Sequence, residues 1–185
     1  GDSVNDTLES NVIGGNTING IIIRGASASG NRVAGNYIGT NGVAPIANGT
    51  GVFIDGSPNN VIGTNGDGVS AAFEGNVISG NSGLGVYVAG TAASGNVIAG
   101  NRIGTNASGT ASIKNLSNGL RIFDGSDNRI GTNGDGVDDE HERNVISGND
   151  SIEVEIQGTA RGNVIAGNFV GLDSTGTVSI GLNSG

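Results

Sequence analysis

Apolar residues in this chain do not recur at helical spacing. They alternate with polar or small residues in short bursts, punctuated by glycine and asparagine. One burst, Asn-x-Ile/Val-small-Gly/Thr-Asn, occurs eight times, starting at Asn11, Asn31, Asn60, Asn76, Asn96, Asn128, Asn144 and Asn163. Its third position is always aliphatic: Ile13, Val33, Ile62, Ile78, Ile98, Ile130, Ile146 or Ile165. Its second position admits Arg32 and Arg129 among valines. Neighbouring residues of a strand face opposite sides, so the third position is predicted to enter a shared core and the second to face out. The fourth is Gly, Ala or Ser, as a tight bend favours. Asparagine at both ends tolerates turn conformations and can hydrogen-bond in a ladder between stacked strands.

A second strand set lies between some of these hexamers: Ile21-Ile22-Ile23, Val52-Phe53-Ile54, Val86-Tyr87-Val88, Leu120-Arg121-Ile122 and Val154-Glu155-Ile156. The outer two residues are always aliphatic and the middle one is unrestricted, which again reads in, out, in. Glycine brackets most of these strands, as sharp corners require. No stretch carries a helical period, so crossover helices are not expected.

Successive hexamers are 20, 29, 16, 20, 32, 16 and 19 residues apart, within a longer cycle of 65 to 68 residues. A propeller blade needs about 40 residues, so short strands at this spacing fit a stacked coil better. The predicted fold class is all-β: a right-handed single-stranded parallel β-helix over residues 1–185, a single domain with no significant helix. The hand follows from the general crossover preference. A 16-residue interval is short for a full coil. That leaves the hexamers at Asn60 and Asn128 as candidates for a third face of the preceding coil, and the coil count open.

Composition narrows the partners. Glycine supplies 37 of 185 residues without a collagen period, and charged residues are too few for a disordered chain. A formal net charge of −9 argues against nucleic acid and anionic membrane surfaces. Without cysteine there is neither a disulfide nor a thiolate metal site. No apolar run approaches the roughly 18 residues of a membrane-spanning helix. The chain opens at Gly1, shows no polar cap at either end, and stops in a loop running from Gly171 to Gly185. A longer natural chain, with neighbouring domains as partners, is therefore expected.

The hexamers Asn76–Asn81 and Asn144–Asn149, with the segments Ile62–Val69 and Ile130–Val137, resemble the parallel β-helix (pectin-lyase-like) repeats of large bacterial secreted and cell-surface proteins. The resemblance covers nearly the whole chain and implies an extracellular or cell-surface location. Similar repeats occur in pectate-lyase-like enzymes, in carbohydrate-binding modules and in adhesin stalks, so it speaks to fold more than to function.

Two loops carry candidate metal chemistry. Aligned with a calcium-binding loop, Asp67 and Asp135 fall at position 5, Asn65 and Asn133 at 3, Glu74 and Glu142 at 12, and Asp139 at 9. Position 1 is glycine in both, which removes the usual first carboxylate. The rival reading is an Asn-Gly turn with solvated acids. A second candidate is the outward column of the second strand set. Ile22, Phe53, Tyr87, Arg121 and Glu155 should stack about 4.8 Å apart, flanked by Arg24, Asp55, Phe123 and Gln157. Phe53, Tyr87, Arg121, Phe123 and Glu155 are the candidate polysaccharide contacts, against the alternative of an ordinary solvent face. No catalytic residues are assigned. The lone His141 lies in an acidic loop without a visible nucleophile or base partner. The expected function is a non-catalytic extracellular module, acting as a rigid scaffold or polysaccharide-binding surface, with Ca2+ as the candidate cofactor. The alternatives are part of a polysaccharide lyase or glycoside hydrolase and, less favoured, an ice-binding solenoid.

Overall fold

The computed structural model describes residues 8–181. Among these residues, sixteen short strands form three parallel sheets. The first sheet stacks β1 (Val12–Ile13), β4 (Tyr37–Ile38), β7 (Val77–Ile78), β10 (Arg102–Ile103), β13 (Val145–Ile146) and β16 (Phe169–Val170), in that order. The second stacks β2 (Asn19–Arg24), β5 (Thr50–Asp55), β8 (Val86–Ala89), β11 (Leu120–Phe123) and β14 (Val154–Gln157). The third stacks β3 (Arg32–Val33), β6 (Val61–Gly63), β9 (Val97–Ala99), β12 (Arg129–Gly131) and β15 (Val164–Ala166). Each turn of chain gives one strand to every sheet, so five three-strand coils are complete and β16 opens a sixth. The fold is a parallel β-helix. Among the described residues, helix comes to 3-10 conformation at Leu8, a 3-10 turn at Ala71–Phe73 and one short helix, α1 (Asp139–Glu142). No helix among the described residues is long and apolar enough to cross a membrane.

Aliphatic side chains at the inward positions of all three sheets fill one interior. Ile38, Ile54, Ile62, Ile78, Ile98, Ile103, Leu120, Ile122, Ile130 and Ile146 are fully buried in it. Burying such a side chain contributes about 1.5–3 kcal/mol. Six of the eight hexamer aliphatics are buried; Ile13 in the first coil is half-buried and Ile165 in the fifth is exposed.

The eight hexamers do not form one column. Those at Asn11, Asn76 and Asn144 supply strands of the first sheet, and the other five supply the third sheet. The hexamers at Asn60 and Asn128 thus lie on the third face of their coils. Alternating with the first-sheet hexamers are β4, β10 and the edge strand β16, which follow Asn36, Asn101 and Asn168 directly.

Asparagine holds all three corners. One ladder runs Asn11–Asn36–Asn76–Asn101–Asn144–Asn168, with partners 25, 40, 25, 43 and 24 residues apart. A second runs Asn31–Asn60–Asn96–Asn128–Asn163. A third runs Asn16–Asn48–Asn81–Asn115–Asn149. In every rung Nδ2 donates to the next Oδ1 at 2.8–3.2 Å. Most of these amides are buried, so each rung satisfies groups that would otherwise be costly to bury.

The alternation of about 25 and 40 residues per coil fixes the surface. Odd coils are compact. The second and fourth coils carry insertions at residues 39–49 and 104–118, between first and second sheets, and at residues 63–75 and 131–143, between third and first. The 65–68-residue sequence cycle is therefore two coils. Gly63 and Gly131 open the latter insertions with φ of 103° and 98°, and a Cβ there would run into the carbonyls of Ala99 and Ala166.

Candidate functional site

The structure places the outward column of the second sheet in register: Ile22, Phe53, Tyr87, Arg121 and Glu155 are successive strand partners. Phe123 pairs with Ala89 and Gln157, so it stays in line with the flanking column. The Phe53 and Tyr87 rings stack on each other, 4.9 Å between centroids and 11° apart. The Arg121 guanidinium lies 5.8 Å from the Tyr87 ring centroid and 5.6 Å from that of Phe123. Its Nε is 3.1 Å from a Glu155 oxygen, and its Nη2 donates to Gln157 Oε1 at 2.6 Å. Asn118 donates to Glu155 as well, and Arg24 pairs with Asp55 at 2.7 Å. Much of this stripe's ring and charge capacity is spent on its own members.

The two insertions between third and first sheets fold alike at their tips. Asn65 Nδ2 donates to Asp67 and the Val69 amide donates to the same carboxylate; Asn133, Asp135 and Val137 repeat this. The Val69 amide, then the Asn65 side chain, holds the Asp67 carboxyl below its usual range. The acids at the base of the insertions turn inward. Glu74 is buried, pairs with Arg32 and accepts from Thr64 Oγ1 at 2.8 Å. Glu142 is fully buried, pairs with Arg129 at 3.1 Å and accepts from the Asn133 amide at 2.8 Å. Asp139 accepts from Thr132 Oγ1 at 2.6 Å and from the Gly136 amide at 3.2 Å. The two outward arginines of the hexamer pattern are thus the partners of the two buried glutamates. Among the described residues, no group of three or more His, Asp or Glu side chains is placed to hold a metal ion.

A third surface was not read from the sequence. The outward positions of the first sheet run Val12, Tyr37, Val77, Arg102, Val145, Phe169 in register. Long insertions rise on both sides of this row and make it the floor of a trough. One wall is the Ala71–Phe73 turn and α1 with Arg143; the other includes Ala107 and Ser174. Two adjoining hollows of about 360 and 350 Å³ share Ala72 and Arg102. The second wall is a stack of small turns closed by antiparallel bridges, Thr40 with Pro45, Thr105 with Ser112 and Leu172 with Ser179. These turns touch one another, since the Ala107 amide donates to the Gly42 carbonyl at 3.3 Å and the Ser174 amide to that of Gly109 at 2.8 Å.

The trough brings Arg102 and Arg143 together with Glu140 and His141. Arg102 has neither an ion pair nor a side-chain hydrogen bond among the described residues, and its buried Nε is unpartnered. Burial pulls its guanidinium below the ordinary arginine value, a shift the Tyr37 phenol opposes. Arg143 donates from Nε to the Gly167 carbonyl at 2.7 Å, lies 4.3 Å from the Phe169 ring centroid, and has no carboxylate partner among the described residues. His141 Nδ1, beside the trough, is 2.5 Å from Asp138 Oδ1. The signal for this floor was present: Asn-Tyr-Ile-Gly, Asn-Arg-Ile-Gly and Asn-Phe-Val-Gly follow the hexamers at Asn31, Asn96 and Asn163 as half-repeats.

Comparison with known proteins adds no relative: no family model, no curated protein and no solved structure matches the chain.

Proposed function

We propose that this protein is a rigid, non-catalytic β-helix module of the pectin-lyase-like kind, secreted or displayed on a bacterial surface, that holds an extended polysaccharide. The observation that carries this reading is the trough over the first sheet. It is walled on both sides and floored by Tyr37, Arg102 and Phe169, with Arg143 over Phe169, and neither arginine has an ion pair among the described residues. Pyranose rings pack on aromatic faces and offer hydroxyls to guanidinium donors. The second-sheet column serves this reading as a stiffener, because Phe53 and Tyr87 cover each other and Arg121 is engaged by Glu155 and Gln157. Of the carboxylates around the trough, Glu74, Glu142 and Asp138 each face a basic partner of their own, while Glu140 lines the hollow beside His141.

Affinity gel electrophoresis against soluble neutral and acidic polysaccharides tests it. Retardation is expected with at least one polymer. Ala72→Trp, which fills the point shared by the two hollows, should abolish it. Phe53→Ser with Tyr87→Ser should leave it in place. Migration unchanged by every polymer would refute the binding role and leave only a spacer. Loss with the Phe53 and Tyr87 pair but not with Ala72→Trp would move the site to the second sheet.

A further inference from the structure

The trough floor alternates with the coils. Compact coils present a small apolar side chain, Val77 or Val145, while the even coils present Tyr37, Arg102 and Phe169. Arg143 lies over Phe169, so its guanidinium belongs to the same level. Polar donors along the trough therefore recur every second coil, as Tyr37 Oη, the Arg102 guanidinium and the Arg143 guanidinium. Two strand spacings of about 4.8 Å place successive levels roughly 9.6 Å apart. This is close to the length of two sugar rings in an extended chain.

The spacing is built into the fold. Each even coil carries the turn that forms one wall, and the glycines of those turns lie against the large floor residues of the same coil: Gly42 against Tyr37, Gly109 against Arg102 and Gly176 against Phe169. A Cβ at Gly42 or Gly176 would collide with the Tyr37 or Phe169 ring, so turn and floor residue are matched.

We infer that the trough is in step with a polymer whose repeating unit is a disaccharide, with an acidic group on alternate sugars. The inference rests on the polysaccharide reading above and names the class of ligand. An acidic group facing Arg102 or Arg143 finds a guanidinium that has no ion pair among the described residues, in a hollow whose rim also carries Glu140. The sugar between them lies over Val145, where an uncharged ring is favoured and a carboxylate would lose water without gaining a partner. A polymer charged on every sugar meets that mismatch at each compact coil, and an uncharged one leaves both guanidiniums unanswered.

Titration calorimetry with three polymers of equal length tests this: an alternating uronate–N-acetylhexosamine chain, a homopolyuronate and a neutral hexosamine homopolymer. The alternating chain should bind at least about tenfold more tightly than either homopolymer, the range expected from one or two charge-assisted hydrogen bonds. Reducing its carboxyls to alcohols should remove that advantage without altering the protein. Arg102→Gln should weaken the alternating chain about tenfold and narrow its advantage over the neutral homopolymer. Homopolyuronate binding as tight as the alternating chain, or an alternating chain indifferent to carboxyl reduction, overturns the inference while leaving polysaccharide binding standing. If none of the polymers binds and the wider gel panel is also negative, the functional reading falls with it.

Discussion

Replacing Asn101 with alanine removes the middle of the longest ladder. The Asn101 side chain is fully buried. Its Oδ1 accepts from the Asn76 amide at 3.1 Å and from Asn76 Nδ2 at 2.9 Å. Its Nδ2 donates to the carbonyls of Ile62 and Ala99, at 2.8 and 3.0 Å, and to Asn144 Oδ1 at 3.1 Å. Some partners keep a second bond: Asn76 Nδ2 still reaches the Val33 carbonyl, and Asn144 Oδ1 still accepts from the Asn101 amide. The Asn76 backbone amide loses its side-chain acceptor where water has poor access. At about 1 kcal/mol net for each of the five bonds lost, plus about 1 kcal/mol for a buried donor left unmade, the expected loss is about 6 kcal/mol. Asn168→Ala, at the more exposed end of the same ladder, should cost about 1 kcal/mol because water can replace the lost partners. Urea unfolding followed by far-ultraviolet circular dichroism compares the two. A loss below about 1 kcal/mol for Asn101→Ala, or equal losses at both positions, would refute the view that buried ladder amides hold the coils in register.

The two similar insertions give an internal control: Gly66→Ala should cost about 2 kcal/mol, because φ is 75° and the new Cβ would strike the Glu142 carboxylate, whereas Gly134→Ala, with φ of 72° in open space, should cost about 1 kcal/mol, both read as urea midpoints. Glu153 ends the third ladder by accepting from the Asn149 side chain and amide, and burial raises its pKa. A raised carboxyl binds its proton more tightly folded than unfolded, so its contribution should fall as pH rises from the ordinary carboxylate range through the raised value. Glu153→Gln, whose amide oxygen accepts as Asn does elsewhere in the ladder, should flatten that slope in melting curves taken from pH 3 to 8. Calcium at millimolar concentration should leave the melting temperature unchanged, since a cation at Glu142 must displace Arg129 and the Asn133 amide; a rise abolished by Asp135→Ala would instead establish the loop site.

The parallel β-helix and the register of its second sheet were legible in the sequence, because the aliphatic triplets are uniform and one residue decides inside from outside. Asparagine ladders were also foreseeable from the hexamer. What could not be read was which sheet each hexamer joins. The same six-residue pattern serves the first sheet at Asn76 and the third at Asn96, since both need an aliphatic facing inward before a corner. Asn48 and Asn115 complete a ladder from inside long insertions that resemble no hexamer. The pairing of Arg32 with Glu74 and Arg129 with Glu142 joins residues that no local period relates. The trough likewise exists only once β4, β10 and β16 lie between insertions from different parts of the chain. Local alternation determined strands and their inward faces, because those depend on near neighbours. Corners, buried ion pairs and the floor of the trough depend on which coil lies above which, and only the closed tertiary stack decides that.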